Sequence, residues 1–451
     1  MERLELADVQ GLVARGYGNL RAARYALLEI VRPAAAGAWL GALWPELTSA
    51  EARPQARALN LAFTPSGLSK LGLGAALEQF SNEFASGMVT PHRRRLLGDV
   101  EQNAPELWRW GGPANRPVDA LLMLFAADRD ELARLYGELS RQLDGAGVRE
   151  LLLLETSDLD DTEQFGFRDG VSQPIVEGFS KTGPPEQTVK AGEFLLGYLN
   201  EYGRRALRPM LDRSADPAGL LPVDRASGRA DFGRNGSYLV FRQLEQDVRG
   251  FWRFVDEATR RPDGSSDVAA RLWLASKMVG RWPSGAPLAL APEQDDPALA
   301  DANDFGYHQA DPYGLRCPIG AHVRRANPRD SLDPEPGSEK SYAINKRHRI
   351  LRRGREYGPS LAPAELWGAP PAGAGTTPGP AVATRERRAA QARRALANAE
   401  AAQAARPALA EAGEPERGLP QFVTVRGGGY FFLPGLRAIR YLAATSAGRP
   451  T

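Results

Sequence analysis

The sequence predicts an α+β fold in which helices pack against antiparallel sheet. Strand-like and helix-like patterns alternate through the first 160 residues, and a second set follows a polar, Gly/Pro-rich stretch between about 180 and 235. Strand–helix–strand patterns repeated in this way are typical of helices that cover one face of an antiparallel sheet. The chain has 451 residues, which is long for one hydrophobic core, so two domains are expected.

The elements of the first half follow from the spacing of apolar residues. Strands are predicted where apolar residues alternate with polar ones or form short, nearly continuous runs, and a helix where leucines recur at helical spacing. A second, capped helix is predicted directly after one of the strands. In chain order these elements are strand Leu20–Ile30, strand Arg57–Thr64, a helix beginning at Pro65-Ser66-Gly67-Leu68, strand Val118–Ala126, helix Asp128–Leu143 and strand Val148–Leu154.

The second half repeats this architecture without repeating its sequence. Residues 359 to about 418 interrupt it with a composition dominated by Ala, Pro, Gly and Arg, which we interpret as a mobile insertion or loosely docked arm. Within that segment only Arg385–Ala405 has the propensity of a helix, and its apolar face is made of methyl groups. The other predicted elements are strand Ser237–Leu244, helix Glu245–Ala258, helix Ala269–Val279, strand His348–Arg353 and strand Phe422–Leu433.

Composition excludes several classes of protein. Acidic and basic residues nearly cancel, at 55 against 57, which argues against a surface for nucleic acid or acidic lipid. No apolar run approaches the length of a membrane span. The segment Met1–Leu6 carries no export signal, so a cytoplasmic enzyme is expected. A single cysteine, Cys317, excludes an intramolecular disulfide and any multi-cysteine zinc or iron–sulfur site.

The stretch Gly166–Pro174 (GFRDGVSQP) is the first candidate for chemistry. Gly, Asp and Pro are ordinary turn residues, so the segment is compatible with a plain surface turn. The same glycines would also let the backbone bend tightly and direct the carboxylate of Asp169 into a cavity. The local pattern alone leaves both interpretations open.

The chain has four histidines, His92, His308, His322 and His348, so a metal site has few nitrogen donors to choose from. His322 lies in the stretch CPIGAHVRRANPRD, where small residues before it leave room for a large flat ligand. Arginines after it are suited to the carboxylates of such a ligand. Cys317, five residues earlier, is either a thiolate ligand or a small buried residue. An isolated histidine is more often a structural residue than a ligand.

The arginine-rich stretch Arg349–Gly358 (RILRRGREYG) is the third candidate. Taken alone it is a basic strand edge. Placed near Asp169, one of its guanidinium groups would form a fixed cation beside a carboxylate.

Four motifs, in their order along the chain, resemble the dye-decolourising (DyP-type) haem peroxidases, bacterial members included. They are GFRDG followed by VSQP, CPIGAHVRRANPRD, RILRRGREYG and FVTVRGGGYFFLPG, and the resemblance covers about residues 15–358 and 415–445. It implies two ferredoxin-like α+β domains, with haem b held mainly by the second. The implied divisions are an N-terminal domain 1–180 that carries the GFRDG turn, a connection 181–235, and a haem-binding domain 236–451 that contains the atypical segment 359–418.

The resemblance also implies a set of site residues. His322 would be the proximal ligand of the haem iron, Asp169 the distal acid–base residue and Arg352 the distal cation, while Arg324 would contact a haem propionate. Asp169 would relay a proton of hydrogen peroxide, and Arg352 would stabilise the charge that develops as the O–O bond breaks. The implied activity is reduction of hydrogen peroxide coupled to one-electron oxidation of bulky dyes or phenols.

Two other interpretations of the sequence remain. One is a degenerate relative that binds haem, or has lost it, and no longer turns over efficiently. The other, a structural protein without haem, has no need of Asp169, His322 and Arg352 in the family's register. Family members usually continue after the arginine-rich strand with a core strand and a helix that closes the proximal pocket, and residues 359–418 replace both. The sequence leaves open whether the chain forms a homo-oligomer.

Overall fold

The computed structural model describes residues 2–158, 162–179, 181–358 and 420–447. Its helices are α1 Gly11–Ala14, α2 Pro33–Leu43, α3 Pro65–Leu68, α4 Asn82–Ser86, α5 Pro91–Leu97, α6 Arg129–Leu143, α7 Val248–Ala258, α8 Val268–Val279, α9 His322–Ala326, α10 Glu339–Lys346 and α11 Leu436–Ala447. Its strands are β1 Ala22–Ile30, β2 Arg57–Phe63, β3 Ala120–Ala126, β4 Val148–Glu155, β5 Ile175–Val176, β6 Thr188–Val189, β7 Met210–Leu211, β8 Ala230–Asp231, β9 Ser237–Gln246 and β10 Val423–Leu433.

The first half forms a ferredoxin-like unit. Its principal elements follow the order β1-α2-β2-β3-α6-β4, and the strands lie side by side in the order β4-β1-β3-β2, all antiparallel. Leu132, Leu135 and Leu139 of α6 pack on one face of this sheet, as their helical spacing predicts. The helix begins after Asp128, whose carboxylate accepts a hydrogen bond from the N–H of Glu131 at 2.8 Å.

Strands from the second half extend the same sheet. β10 pairs with β2 at Phe432 and Phe63 and with β9 along its whole length, so the six strands run in the order β4-β1-β3-β2-β10-β9. α11 packs against α2. Both faces of the sheet are buried, because one hydrophobic cluster lies under the helices and another lies between the sheet and the segments that carry the candidate site. The α+β fold class is therefore confirmed.

Most predicted elements are confirmed to within a few residues. One boundary was wrong: the helix expected from Glu245 begins at Val248, because β9 continues to Gln246 and Asp247 caps the helix. The Asp247 carboxylate accepts from the N–H of Gly250 at 2.8 Å, which fixes that start. The helix expected at 385–405 lies outside the described residues.

The predicted strand His348–Arg353 was also wrong. After α10 the described chain turns at residues 347–348 and then runs through 349–356 without belonging to any strand. Side chains hold this segment instead of a ladder of backbone hydrogen bonds. Arg353 donates to the carbonyl oxygens of Leu12 and Val13 at 2.6 and 2.7 Å, and Arg355 to that of Leu20 at 2.9 Å. The alternation of arginine and apolar residues in this segment is real, but it does not indicate a strand that pairs in a sheet.

In the part of the chain that the structure describes, every helix is too short or too polar to cross a lipid bilayer. The domain boundaries at 180 and 235 stay a prediction.

Candidate active site

The turn after β4 carries Asp169. Gly166 and Gly170 have φ angles of 93° and 80°, which residues with a Cβ rarely adopt, so both bends need glycine. The neighbouring Arg168 leaves the turn in another direction, where its Nη2 lies 2.7 Å from Oδ1 of Asp301. The turn therefore separates two adjacent charged side chains and directs only Asp169 towards the arginine-rich segment.

The residues before Asp169 are fixed by a carboxylate that the sequence did not reveal. Glu163 accepts hydrogen bonds from the N–H groups of Phe165 at 3.0 Å and Phe167 at 3.1 Å, and from Nε2 of Gln246 at 3.2 Å. Phe167 stacks parallel to Trp252 of α7, with ring centroids 6.2 Å apart. Burial raises the pKa of Glu163 to about 7, although the two backbone hydrogen bonds oppose this shift. These contacts give the turn a rigid base.

Asp169 and Arg352 form a hydrogen-bonded ion pair, in which Nη2 of Arg352 donates to Oδ1 of Asp169. Burial opposes ionisation of Asp169, but the charge and hydrogen bond of Arg352, together with the N–H of Gly170, outweigh it. The pKa of Asp169 therefore lies below its ordinary value. The carboxylate is ionised at neutral pH and can accept a proton.

Asp169, Arg352 and His322 lie near one another, because the charges of Arg352 and Asp169 both act on the pKa of His322. About 43% of the Asp169 side chain and 39% of the Arg352 side chain are accessible, and His322 is also exposed. Burial is nevertheless the largest influence on the pKa of both Asp169 and His322. Side chains that keep accessible surface while protein surrounds them face internal space, so we assign the three residues to the wall of a recess.

His322 begins α9, which lies against the end of α8. Gly280 follows α8 with φ 98°, and a Cβ there would lie 2.4 Å from Cγ2 of Val323 and 3.3 Å from Sγ of Cys317. Only glycine allows this approach. Burial lowers the pKa of His322, and the cation of Arg352 lowers it further against the opposing charge of Asp169. The imidazole is therefore neutral at pH 7, and neither ring nitrogen forms a hydrogen bond to another described residue.

The structure contradicts the expectation that Arg324 contacts a propionate. Arg324 is 3% exposed. Its Nη1 donates to Oδ2 of Asp311 at 2.9 Å and to the carbonyl of Cys317 at 2.7 Å, and its Nη2 to the carbonyl of Asp311 at 2.8 Å. Its guanidinium also lies over the ring of Tyr307, 4.4 Å from the centroid. Arg324 is thus a buried structural cation whose guanidinium group binds Asp311 and Cys317.

Arg325 is the arginine that shares a helix face with His322. Residues three apart in a helix lie on one face, whereas a residue two positions away points elsewhere. Arg325 is half-buried, burial lowers its pKa, and its charge acts on His322. It has no ion pair within the described residues. Recognising α9 as a helix in the sequence would have favoured Arg325 over Arg324.

Replacing Arg324 by Met is expected to lower the free energy of unfolding by about 3–5 kcal/mol, because it leaves Asp311 buried without its cation. Urea denaturation of the haem-free protein measures this. Arg325→Met is the matched control from the same helix and should lower the free energy of unfolding much less. A stable Arg324→Met protein that binds haem poorly would restore the propionate assignment.

Cys317 is fully buried, and burial raises the pKa of its thiol to about 11. A thiol that remains protonated at neutral pH is a poor metal ligand. Of the two interpretations of this residue, the structure supports the small buried side chain.

A groove of about 990 Å³ lies elsewhere on the molecule. Its lining residues include His308, Phe305, Asp330 and Tyr342. None of the three recess residues contributes to it. We therefore locate the candidate site by its chemistry, at the ion pair and the imidazole, and not by cavity size.

The recess residues fit a haem whose iron would be held by a histidine. A neutral imidazole without a hydrogen-bond partner in the described residues has the donor chemistry of an iron ligand. A half-buried guanidinium on the same helix face, from Arg325, suits a carboxylate group of the cofactor. The fold and site together define a class of protein: an α+β protein with a neutral histidine and a carboxylate–arginine pair in one recess.

The chain is similar in sequence and fold to known proteins. The chain is 33% identical over 342 residues to a dye-decolorizing peroxidase of Mycena epipterygia. The aligned region covers 71% of this chain and 56% of the relative. It is 30% identical over 383 residues to peroxidase 2 of Mycetinis scorodonius, covering 80% and 66%. The crystal structure of a DyP-type peroxidase from Auricularia auricula-judae matches with a TM-score of 0.76 at 25% identity, over 99% of this chain and all of that one. No family model matches the chain.

The chain belongs to the dye-decolourising peroxidase family. It spans 56% and 66% of the lengths of the two fungal relatives. The atypical segment at 359–418 lies outside the described residues.

Proposed function

We propose that the protein is a haem b-dependent peroxidase that reduces hydrogen peroxide and oxidises bulky aromatic compounds, dyes or phenols, one electron at a time. The observation that carries the proposal is the ion pair of Asp169 with Arg352 in the same recess as the neutral imidazole of His322. Membership of the family supports it, and a related solved structure is described as a complex with 2,6-dimethoxyphenol.

His322 is the residue that would hold the haem iron, and Arg325 the one that would meet a carboxylate of the cofactor. When bound, the haem supplies the redox chemistry that connects peroxide reduction with oxidation of the aromatic compound. The low pKa of His322 keeps the imidazole neutral and available as a ligand.

Asp169 transfers the proton, and Arg352 stabilises the developing charge. Ionised Asp169 accepts a proton from hydrogen peroxide and returns it to the departing oxygen, as general base and then general acid. Arg352 supplies the guanidinium charge that stabilises the negative charge on oxygen when the O–O bond breaks. Because each residue fixes the other, the recess is organised before peroxide enters.

The competing candidate is a degenerate family member that binds haem poorly or does not turn over. The depressed pKa of Asp169 and the intact ion pair favour the active enzyme, because a site without selection for proton transfer needs neither. The proposal includes a cytoplasmic location.

The ultraviolet–visible spectrum of the protein reconstituted with haem is expected to show a Soret band that changes when hydrogen peroxide is added. A band that does not respond to peroxide would favour the degenerate member, and a protein that cannot be loaded with haem would remove the proposed cofactor. Oxidation of 2,6-dimethoxyphenol, followed under the same conditions, tests the aromatic reductant.

A further inference from the structure

Gln173 connects the turn of Asp169 to the main chain of Arg352. Its Oε1 accepts from the N–H of Arg352 at 3.0 Å, and its Nε2 donates to the carbonyl of Arg352 at 3.3 Å. One side-chain amide thus pairs with both main-chain groups of one residue, as a neighbouring strand would. The contact is important because residues 349–356 belong to no strand in the described chain, so no ladder fixes Arg352. The same carbonyl also accepts from Nη1 of Arg353 at 2.9 Å.

The local sequence holds Gln173 in place. Pro174 follows it and restricts its backbone to extended conformations. Pro174 is buried, and the next two residues form β5, which pairs with β6. Gln173 itself is half-buried. Its amide is therefore presented from a rigid base.

The guanidinium of Arg352 has few other restraints. Its hydrogen bond to Asp169 is the one it forms within the described residues, and 39% of the side chain is accessible. Asp169 lies four residues before Gln173 in the same turn. A single turn thus carries both the carboxylate and the side chain that anchors its cationic partner.

We propose that Gln173 is a positioning residue, which keeps the guanidinium of Arg352 against Asp169 by holding the main chain of Arg352. This inference rests on the proposed function. Without the anchor, Arg352 spends part of its time away from Asp169. Burial of the carboxylate is then less well offset, and its pKa rises towards or above the ordinary value.

The test is Gln173→Met in the haem-loaded protein, because Met keeps the length of the side chain and removes both amide contacts. The rate constant for reaction with hydrogen peroxide, measured by stopped flow from pH 3 to 8, is expected to fall about tenfold at neutral pH. Its acid limb should move upward by about one pH unit. A role in stability alone would lower the free energy of unfolding and leave the acid limb in place.

A second readout needs no activity. The difference in unfolding free energy between the parent protein and Asp169→Asn, followed by urea denaturation from pH 3 to 6, reports the ionised form of Asp169. In the Gln173→Met background this pH-dependent difference is expected to shrink. An unchanged difference overturns the inference.

Gln187→Met is the matched control. Gln187 is also half-buried and also uses both ends of its amide, with Asn303 at 3.1 and 3.3 Å, but it does not contact Arg352. If Gln173→Met does not fold, Gln173→Asn, which is one methylene shorter, takes its place. A normal acid limb in the Gln173 variant, together with slow reaction in Arg352→Leu, overturns this inference alone. Normal rates in Arg352→Leu itself overturn the proposed function.

Discussion

Replacement of His322 by Ala is expected to abolish retention of haem. The imidazole is neutral, lies in the recess and has no hydrogen-bond partner among the described residues, so its nitrogen is available to iron. Ala offers no donor atom, and the nearby Cys317 is a buried, protonated thiol that cannot replace it. Haem content after gel filtration and the ferric absorption spectrum measure the effect.

Two controls separate ligation from folding. His308→Ala removes an exposed histidine that lines the separate groove, to which none of the recess residues contributes, so this variant should bind haem normally. Free imidazole added to His322→Ala should restore part of the ferric spectrum, because it supplies the missing donor without repairing the protein. Loss of haem in His308→Ala and its retention in His322→Ala would show that the ligand was wrongly assigned.

The four strands and helix α6 of the ferredoxin-like unit were predictable from their apolar patterns, whereas α2 was not predicted. β1 and β3 show the apolar runs of strands that are buried on both faces, and α6 shows leucines at helical spacing. These patterns depend on local burial alone. The pairing of β10 with β2 was not predictable, since it joins residues 369 positions apart, from Phe63 to Phe432, through a single pair in register.

The candidate site was predictable in part. The sequence motifs led to Asp169, Arg352 and His322, and the structure brings all three to one recess. The choice of Arg324 was wrong because it ignored the helical period of α9, which turns Arg324 into the interior and leaves Arg325 beside His322.

Contacts between a polar side chain and the backbone, whether in the same turn or far along the chain, could not be predicted. Glu163 holds the N–H groups of its own turn, and Gln173 holds the main chain of Arg352, 179 residues away. Both are common surface residue types, and although Gln173 lies in the VSQP motif, the motif does not indicate which backbone groups its amide contacts. The segment 349–356 shows the same limit, because its arginines bind carbonyl oxygens of an N-terminal segment in place of a neighbouring strand.

Loss of the Asp169–Arg352 pair is expected to slow the reaction with hydrogen peroxide by orders of magnitude while haem remains bound. Arg352→Leu removes the fixed charge that stabilises the breaking O–O bond, and a reduction of about 10²- to 10³-fold is expected. Asp169→Asn removes the proton acceptor and should lower the rate of the reaction with hydrogen peroxide by about 10²-fold or more. Arg352 should matter at least as much as Asp169, because a water molecule can replace part of the proton relay but not the charge.

The pH dependence distinguishes the two variants. The folded pKa of Asp169 lies below the ordinary value, so the parent enzyme should remain active in mildly acid solution and lose activity only as pH falls through that low pKa. In Arg352→Leu the charge and hydrogen bond that outweigh burial are gone, so the pKa of Asp169 rises and the acid limb moves to higher pH. Asp169→Asn should lack this limb. Glu163 interacts with the charge of Asp169, and burial raises its pKa to about 7. Its titration therefore contributes to the pH dependence of the rate near neutral pH.

A second ion pair of the same turn supplies the matched controls. Arg168 pairs with Asp301 at 2.7 Å near the surface, where 86% of the Asp301 side chain is exposed, so Arg168→Leu and Asp301→Asn remove the same groups outside the recess. Both controls should react with peroxide at close to the parent rate and keep its acid limb. Stopped-flow measurement of the haem absorbance change between pH 3 and 8 compares the rates of the variants with those of the controls. If Arg352→Leu and Asp169→Asn retain haem and react as fast as these controls, neither residue takes part in the peroxide reaction, and the degenerate family member becomes the better description.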